Sequence, residues 1–93
     1  MVSQLIIKLS DYSQHLSSSE LARALRGKVL GEKVLFDFSD VQSVSESFFE
    51  ELFGMLLESY GEKKYTEHVS CIGLSLGHQQ LLQGILRNHM HKR

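Results

Sequence analysis

Proline is absent from this 93-residue chain and cysteine occurs once, as Cys71. Without proline there is no Pro-rich spacer, and no Gly/Ser linker, low-complexity tract or internal repeat takes its place. A lone cysteine closes no internal disulfide, and its position within an apolar run suits a small buried hydrophobe in a reducing compartment. Neither sign of charge dominates: 10 Lys plus Arg stand against 11 Asp plus Glu, for a formal charge of −1. That balance gives no electrostatic reason to expect nucleic acid or an anionic membrane, and it directs attention to protein partners. The opening MVSQLIIKLS has too short an apolar run for a spanning helix, no basic leader and no small-residue cleavage site, so the expected location is the cytoplasm.

What is present is enough for one core. At 42% hydrophobic residues, positions 1–93 are expected to form a single small domain. Leu5, Ile6, Ile7 and Leu9 make a β-rich run within 2–9, predicting a strand covered on both faces. After the polar stretch 10–15, Ser17 and Glu20 have the spacing of a capping box, and Leu16 and Leu21 that of a hydrophobic staple. They predict a helix burying Leu21, Ala22, Leu25 and Val29, turning Arg23, Arg26 and Lys28 to solvent, and stopping near Gly31. Residues 33–39 carry Val34, Leu35, Phe36 and Phe38 almost without interruption, the pattern of an inner strand. A third strand follows at 68–75 through Val69, Cys71, Ile72 and Leu74, after a solvated turn at 62–67. The last element is a helix over 76–90 with Leu81, Leu82, Ile85, Leu86 and Met90 inward, its end merging into a fraying tail at 89–93. The fold class that follows is α/β, a small mixed or parallel sheet of three to four strands with three helices in β-α-β-α-β-α order.

The stretch 33–61 organises the rest. Asp37 is the single charge inside its strand; it reads as an acceptor for loop amides, because a buried carboxylate must find donors, with acid–base chemistry as the alternative. The loop beyond the carboxyl end of such a strand is where open α/β sheets bind ligands and partners. Ser45 caps the following helix if Val44 and Phe49 close a staple, whereas a Ser47/Glu50 capping box starts it two residues later. On the first assignment, a projection at about 100° per residue gathers Phe48, Phe49, Leu52, Phe53, Met55, Leu56, Leu57 and Tyr60 on one arc. Ser47, Glu50, Glu51, Gly54 and Glu58 lie opposite, and Gly61 ends the helix. The arc exceeds the stripe needed to sit on a sheet. It either packs against a neighbouring helix as well, or offers edge residues such as Phe48 and Met55 to a partner or a second copy.

Enzyme signatures are missing. His15, His68, His78, His89 and His91 lack a second ligand at structural-zinc spacing, so no metal and no cofactor is expected. There is no G-x-S-x-G elbow, Cys71 has no identifiable base, and Gly73 with Gly77 forms neither a Walker loop nor a dinucleotide fingerprint. A serine at a helix N-terminus does carry chemistry. A phosphate there gains from free backbone amides and the helix dipole, and beside Glu46, Glu50 and Glu51 it would sharply change how an acidic surface meets a partner. The plainer alternative is that Ser45 and Ser47 only cap the helix.

FDFSDVQSVSESFFEELFG resembles the signature region of STAS domains, the anti-sigma factor antagonist fold, in which a strand ending in an Asp-containing turn leads to a helix beginning Asp-Ser-Ser or Asp-Ser-Thr. HVSCIGLSLGHQQLLQGILR is similar to that family's next strand and final helix. The acid-aromatic strand end and the S-F-x-[DE]-E-L-F-G helix resemble in particular the STAS-like family of unknown function. The likeness spans about 5–90 and is distinctive over 34–54. It implies a STAS-like fold, a non-enzymatic role in regulation, and a protein partner of the ATPase-fold serine kinase or anti-sigma-like kind. By position, Ser45 stands where the family has Asp, Glu46 where it has the first Ser, Ser47 at the second Ser or Thr, and Phe48 at a Gly. Ser47 is therefore the leading candidate phospho-acceptor, followed by Ser45. Asp40, Ser43, Glu46, Phe48, Glu50, Glu51, Gly54 and Met55 are the expected partner-binding residues, with homodimerisation through the apolar face of helix 46–60 as the alternative.

Overall fold

Alternate residues of Lys33–Asp37 bury Val34 and Phe36, and this segment, β3, is the middle of a three-stranded sheet. A computed structural model of the chain describes residues 4–90, in which β1 (Gln4–Lys8) and β5 (Val69–Ile72) flank β3 and both run parallel to it. The registers set Ile7 beside Phe36 and Phe36 beside Cys71. Side chains alternate along each strand, so Leu5, Ile7, Val34, Phe36, Val69 and Cys71 share the core face. Parallel neighbours need crossovers, and helices supply them, giving the α/β alternation expected from the sequence.

Three helices cover the core face. Helix α1 (Ser19–Val29) buries Ala22, Leu25 and Val29. The central helix runs over 46–60 as α2 (Glu46–Phe49), a π-helical turn (Glu50–Gly54) and α3 (Met55–Tyr60). Helix α5 (Leu76–Met90) packs along its other side, so the central helix lies between α1 and α5. Phe36, Phe38, Phe49 and Phe53 join strand and helix: Phe36 meets Phe53 edge to face at 5.0 Å, and Phe49 lies 6.0 Å from Phe38 and 5.8 Å from Phe53. Each such pair adds about 1 kcal/mol beyond the area it buries.

Several local features differ from the sequence expectations. The first helix is capped by Ser18, whose hydroxyl accepts from the Leu21 amide at 3.1 Å, so the Ser17/Glu20 box does not form. Arg26 is partly buried instead of solvent-facing. Two segments expected as loop pair as short parallel strands, β2 (His15–Leu16) and β4 (Ser43–Val44); two residues are too few to display a period. The solvated turn at 62–67 is helix α4 (Glu62–His68). Gly61, at φ +81°, restarts the chain at once, and Glu62 in the first turn matches the helix dipole. The third strand ends at Ile72 because Gly73 turns the chain with φ +78°. Strand β1 is not covered on both faces, since Ile6 is 66% exposed. His89, expected in a fraying tail, is a buried member of α5; residues 91–93 lie outside the described residues.

The end of α1 is tied to α3 by one phenol. Tyr60 Oη accepts from the Gly31 amide at 2.7 Å and faces the Val29 and Glu32 carbonyls at 3.0 and 3.2 Å. One phenol thus satisfies backbone groups at the end of α1 and in the turn that follows it. Tyr60→Phe is expected to destabilise the domain by about 1–2 kcal/mol and to lower the thermal midpoint by roughly 5–10 °C. Thermal unfolding followed by circular dichroism measures this, and an unchanged midpoint would show that the phenol contributes nothing net.

Candidate functional site

The serine loop is held from below and from both sides. Asp37 Oδ1 accepts from the Ser39 amide at 2.9 Å, the Val41 amide returns to the Phe38 carbonyl at 3.1 Å, and Asp40 takes up φ +68° between them. Below the turn lies Gly73. A Cβ there would stand 2.6 Å from the Ser39 amide nitrogen, so close approach and positive φ both require glycine. On the other side the Gln14 carbonyl accepts from the Gln42 and Ser43 amides at 2.8 and 3.1 Å, and the Leu16 carbonyl accepts from Ser45 at 2.8 Å. His15 Nδ1 and Ser43 Oγ share a hydrogen bond of 2.8 Å. Ser45 is the N-cap: its hydroxyl accepts from the Phe48 amide at 3.1 Å and bonds the Ser47 hydroxyl at 3.1 Å.

The expected site residues divide into two sets. Asp40, Ser43, Glu46, Ser47 and Met55 are exposed along the loop and the outer side of the central helix, and Ser45, Glu50 and Glu51 are partly exposed. Phe48 and Gly54 are buried and cannot touch a partner in this conformation. Phe48 is fully enclosed in the core, and Gly54 faces α5. Between Glu46 and α5 runs a groove of about 320 Å³, with Gln80, Gly84, Arg87 and Asn88 along its α5 side. Asp37, partly exposed and not the buried carboxylate expected, accepts from the loop amide of Ser39. The Ser39 amide first, the Ser39 hydroxyl next and Lys8 last hold it below its ordinary 3.8, against a small opposing effect of burial. Cys71 is pushed up to about 12 by burial and stays a thiol.

No local motif announces how the central helix is braced. His89 lies against Gly54 with Nε2 on the Glu50 carboxylate and Nδ1 on the Glu58 carboxylate. In a regular α-helix, residues eight apart are displaced by about 80° around the axis. A π turn takes in roughly one more residue than an α turn. With the π turn at Glu50–Gly54, Glu50, Gly54 and Glu58 come into line facing α5. On the opposite flank, within the same turn, the Glu51 carbonyl accepts from Arg26 Nη1 at 2.6 Å, and the Glu51 carboxylate lies 3.3 Å from the same nitrogen. Both braces join residues at least 25 apart in sequence, and neither belongs to a local motif.

Among the described residues no group of three or more His, Cys, Asp and Glu side chains is disposed to hold a metal ion, and no helix is long and apolar enough to cross a membrane. Parallel strands, a loop pinned at the carboxyl end of the middle strand and a serine-capped central helix define a small α/β domain with a hydrogen-bonded loop–helix junction at its surface. Residues 20–79 match the family model described as a STAS-like domain of unknown function, and the chain belongs to that family. No curated protein and no solved structure matches the chain.

Two expectations follow. A Cβ on Gly54 would stand 2.5 Å from His89 Nε2, in a ring held by both carboxylates. Gly54→Ala is therefore expected to cost about 1–3 kcal/mol in the natural chain. In a His89→Ala background the penalty should vanish and helix propensity favour alanine by up to ~1 kcal/mol; equal costs in both backgrounds, measured by urea unfolding, would refute the packing relation. For Asp37 the depressed folded value means that its stabilisation is complete above the unfolded 3.8 and is lost as pH falls through the lower folded value. The stability advantage of the natural chain over Asp37→Asn should shrink as pH falls below about 4. Parallel stability profiles from pH 7 to pH 2 would deny Asp37 this role.

Proposed function

We propose that this domain is a non-enzymatic regulatory module of the cytoplasm that docks a protein partner through the 40–58 loop and helix and is switched by phosphorylation of a serine there. The observation that carries this reading is the difference between two neighbouring hydroxyls. Ser45 Oγ is engaged as the cap of the central helix, whereas Ser47 is exposed and its hydroxyl bonds only to Ser45. Ser47 is accordingly the first candidate acceptor and Ser45 the second. A phosphate on Ser47 adds about two negative charges beside Glu46, Glu50 and Glu51, reversing any attraction that depends on a hydroxyl at that point. The resemblance to anti-sigma factor antagonists supports an ATPase-fold serine kinase or an anti-sigma-like regulator as partner. The groove between Glu46 and α5 adjoins the same surface, with Arg87 on its far side, and offers a partner both charges. Homodimerisation through the apolar arc of helix 46–60 has less to rest on, because Phe48, Phe49, Leu52, Phe53, Leu56 and Leu57 lie in the interior.

The test is quantitative recovery of bound protein by immobilised natural domain, Ser47→Ala and Ser47→Glu. The expected result is retention by the alanine variant and at least tenfold loss by the glutamate variant. Equal recovery by all three rejects Ser47 as the switch.

A further inference from the structure

The face of the sheet turned away from the core carries Gln4, Ile6 and Lys8 from β1, Lys33, Leu35 and Asp37 from β3, and Ser70 and Ile72 from β5. Ile6 is 66% and Ile72 48% exposed, and Leu35 between them is only partly buried. An all-parallel sheet is ordinarily covered on both faces. An open one bearing branched aliphatic side chains marks a contact surface.

The charges on this face indicate what covers it. Along β3 they read Lys33, Leu35, Asp37: positive, apolar, negative. Ile6, Leu35 and Ser70 form one row across the three strands. A two-fold axis along that row would lay each of these residues on its own counterpart and bring Lys33 of each copy against Asp37 of the other. A surface complementary to itself under a two-fold rotation is what an isologous dimer requires. Asp37 has acceptor capacity left for this contact, since a carboxylate offers about four lone-pair sites and the Ser39 amide and hydroxyl do not fill them. We propose that this face is a self-association surface whose occupant is a second copy of the chain, packed sheet to sheet about the Ile6–Leu35–Ser70 row.

Three strands of about five residues span roughly 14 by 17 Å, well short of the ~800 Å² per partner typical of a stable complex. A contact of that size belongs with the weak, transient associations. It leaves the central helix free, since that helix covers the other side of the sheet. The two readings consequently fail separately.

Sedimentation equilibrium of the purified chain between about 10 µM and 1 mM covers weak association, and Ile6→Glu and Ile6→Lys supply the controls. Because Ile6 is mostly exposed, neither substitution should disturb folding, which thermal unfolding verifies. The natural chain should self-associate, each variant alone should be monomeric because like charges meet at the axis, and an equimolar mixture of the two should associate again. A natural chain that stays monomeric throughout overturns the proposal, as do variants that dimerise undiminished or a mixture that fails to recover.

Discussion

Contact among four phenylalanine rings determines where the central helix lies, and most of the structure depends on it. Phe36 and Phe38 leave the middle strand on the core side, and Phe49 and Phe53, four residues apart, descend from the helix to meet them. Burial of such side chains stabilises the fold by about 2 kcal/mol each, before the ring geometry adds its share. Once those rings are in place the chain between Phe38 and Phe49 has little freedom. It must turn back within a few residues, which is why Asp37 holds the Ser39 amide, Asp40 accepts positive φ and Gly73 leaves room beneath. The exposed serines are thus presented by a tight support, and the site's geometry is a consequence of the core.

The helix that these rings place is also shaped by its neighbours. Arg26 from one side and His89 from the other bind the same turn, which is π-helical where a regular α-helix would misalign Glu50 and Glu58. Interruptions of this type cost helix regularity and persist where surrounding contacts compensate. Here the compensation comes from a ring bonded at both nitrogens and from a guanidinium on a backbone carbonyl. This division leaves three distinct surfaces: an acidic loop–helix edge bearing Ser47, a groove beside α5, and an aliphatic sheet face on the far side.

Much of this was legible in the residues. The near-continuous run 34–38 marked the inner strand, Ser45 with Val44 and Phe49 marked the start of the central helix, and Gly31 and Gly61 fell at the turns after α1 and α3. Each is a local signal, in which a side chain's own shape or hydrogen-bonding capacity restricts its immediate backbone. Local signals also misled. Ser17 and Glu20 have the spacing of a capping box, yet Ser18 caps α1; Met90 fits the helical period, yet His89 is the residue turned inward.

The sequence by itself determined the α/β alternation, the inner strand, the serine cap and the family, because periodicity and capping act within a few residues of chain. The tertiary structure alone decided that Gly54 faces His89, that Glu50 and Glu58 align across a π turn, that Gln14 anchors the serine loop and that one face of the sheet stands open. Those relations depend on residues tens of positions apart, Glu50 and Glu58 meeting through His89. No spacing rule encodes them, since they exist only once the phenylalanine core has brought distant segments to within a hydrogen bond of one another.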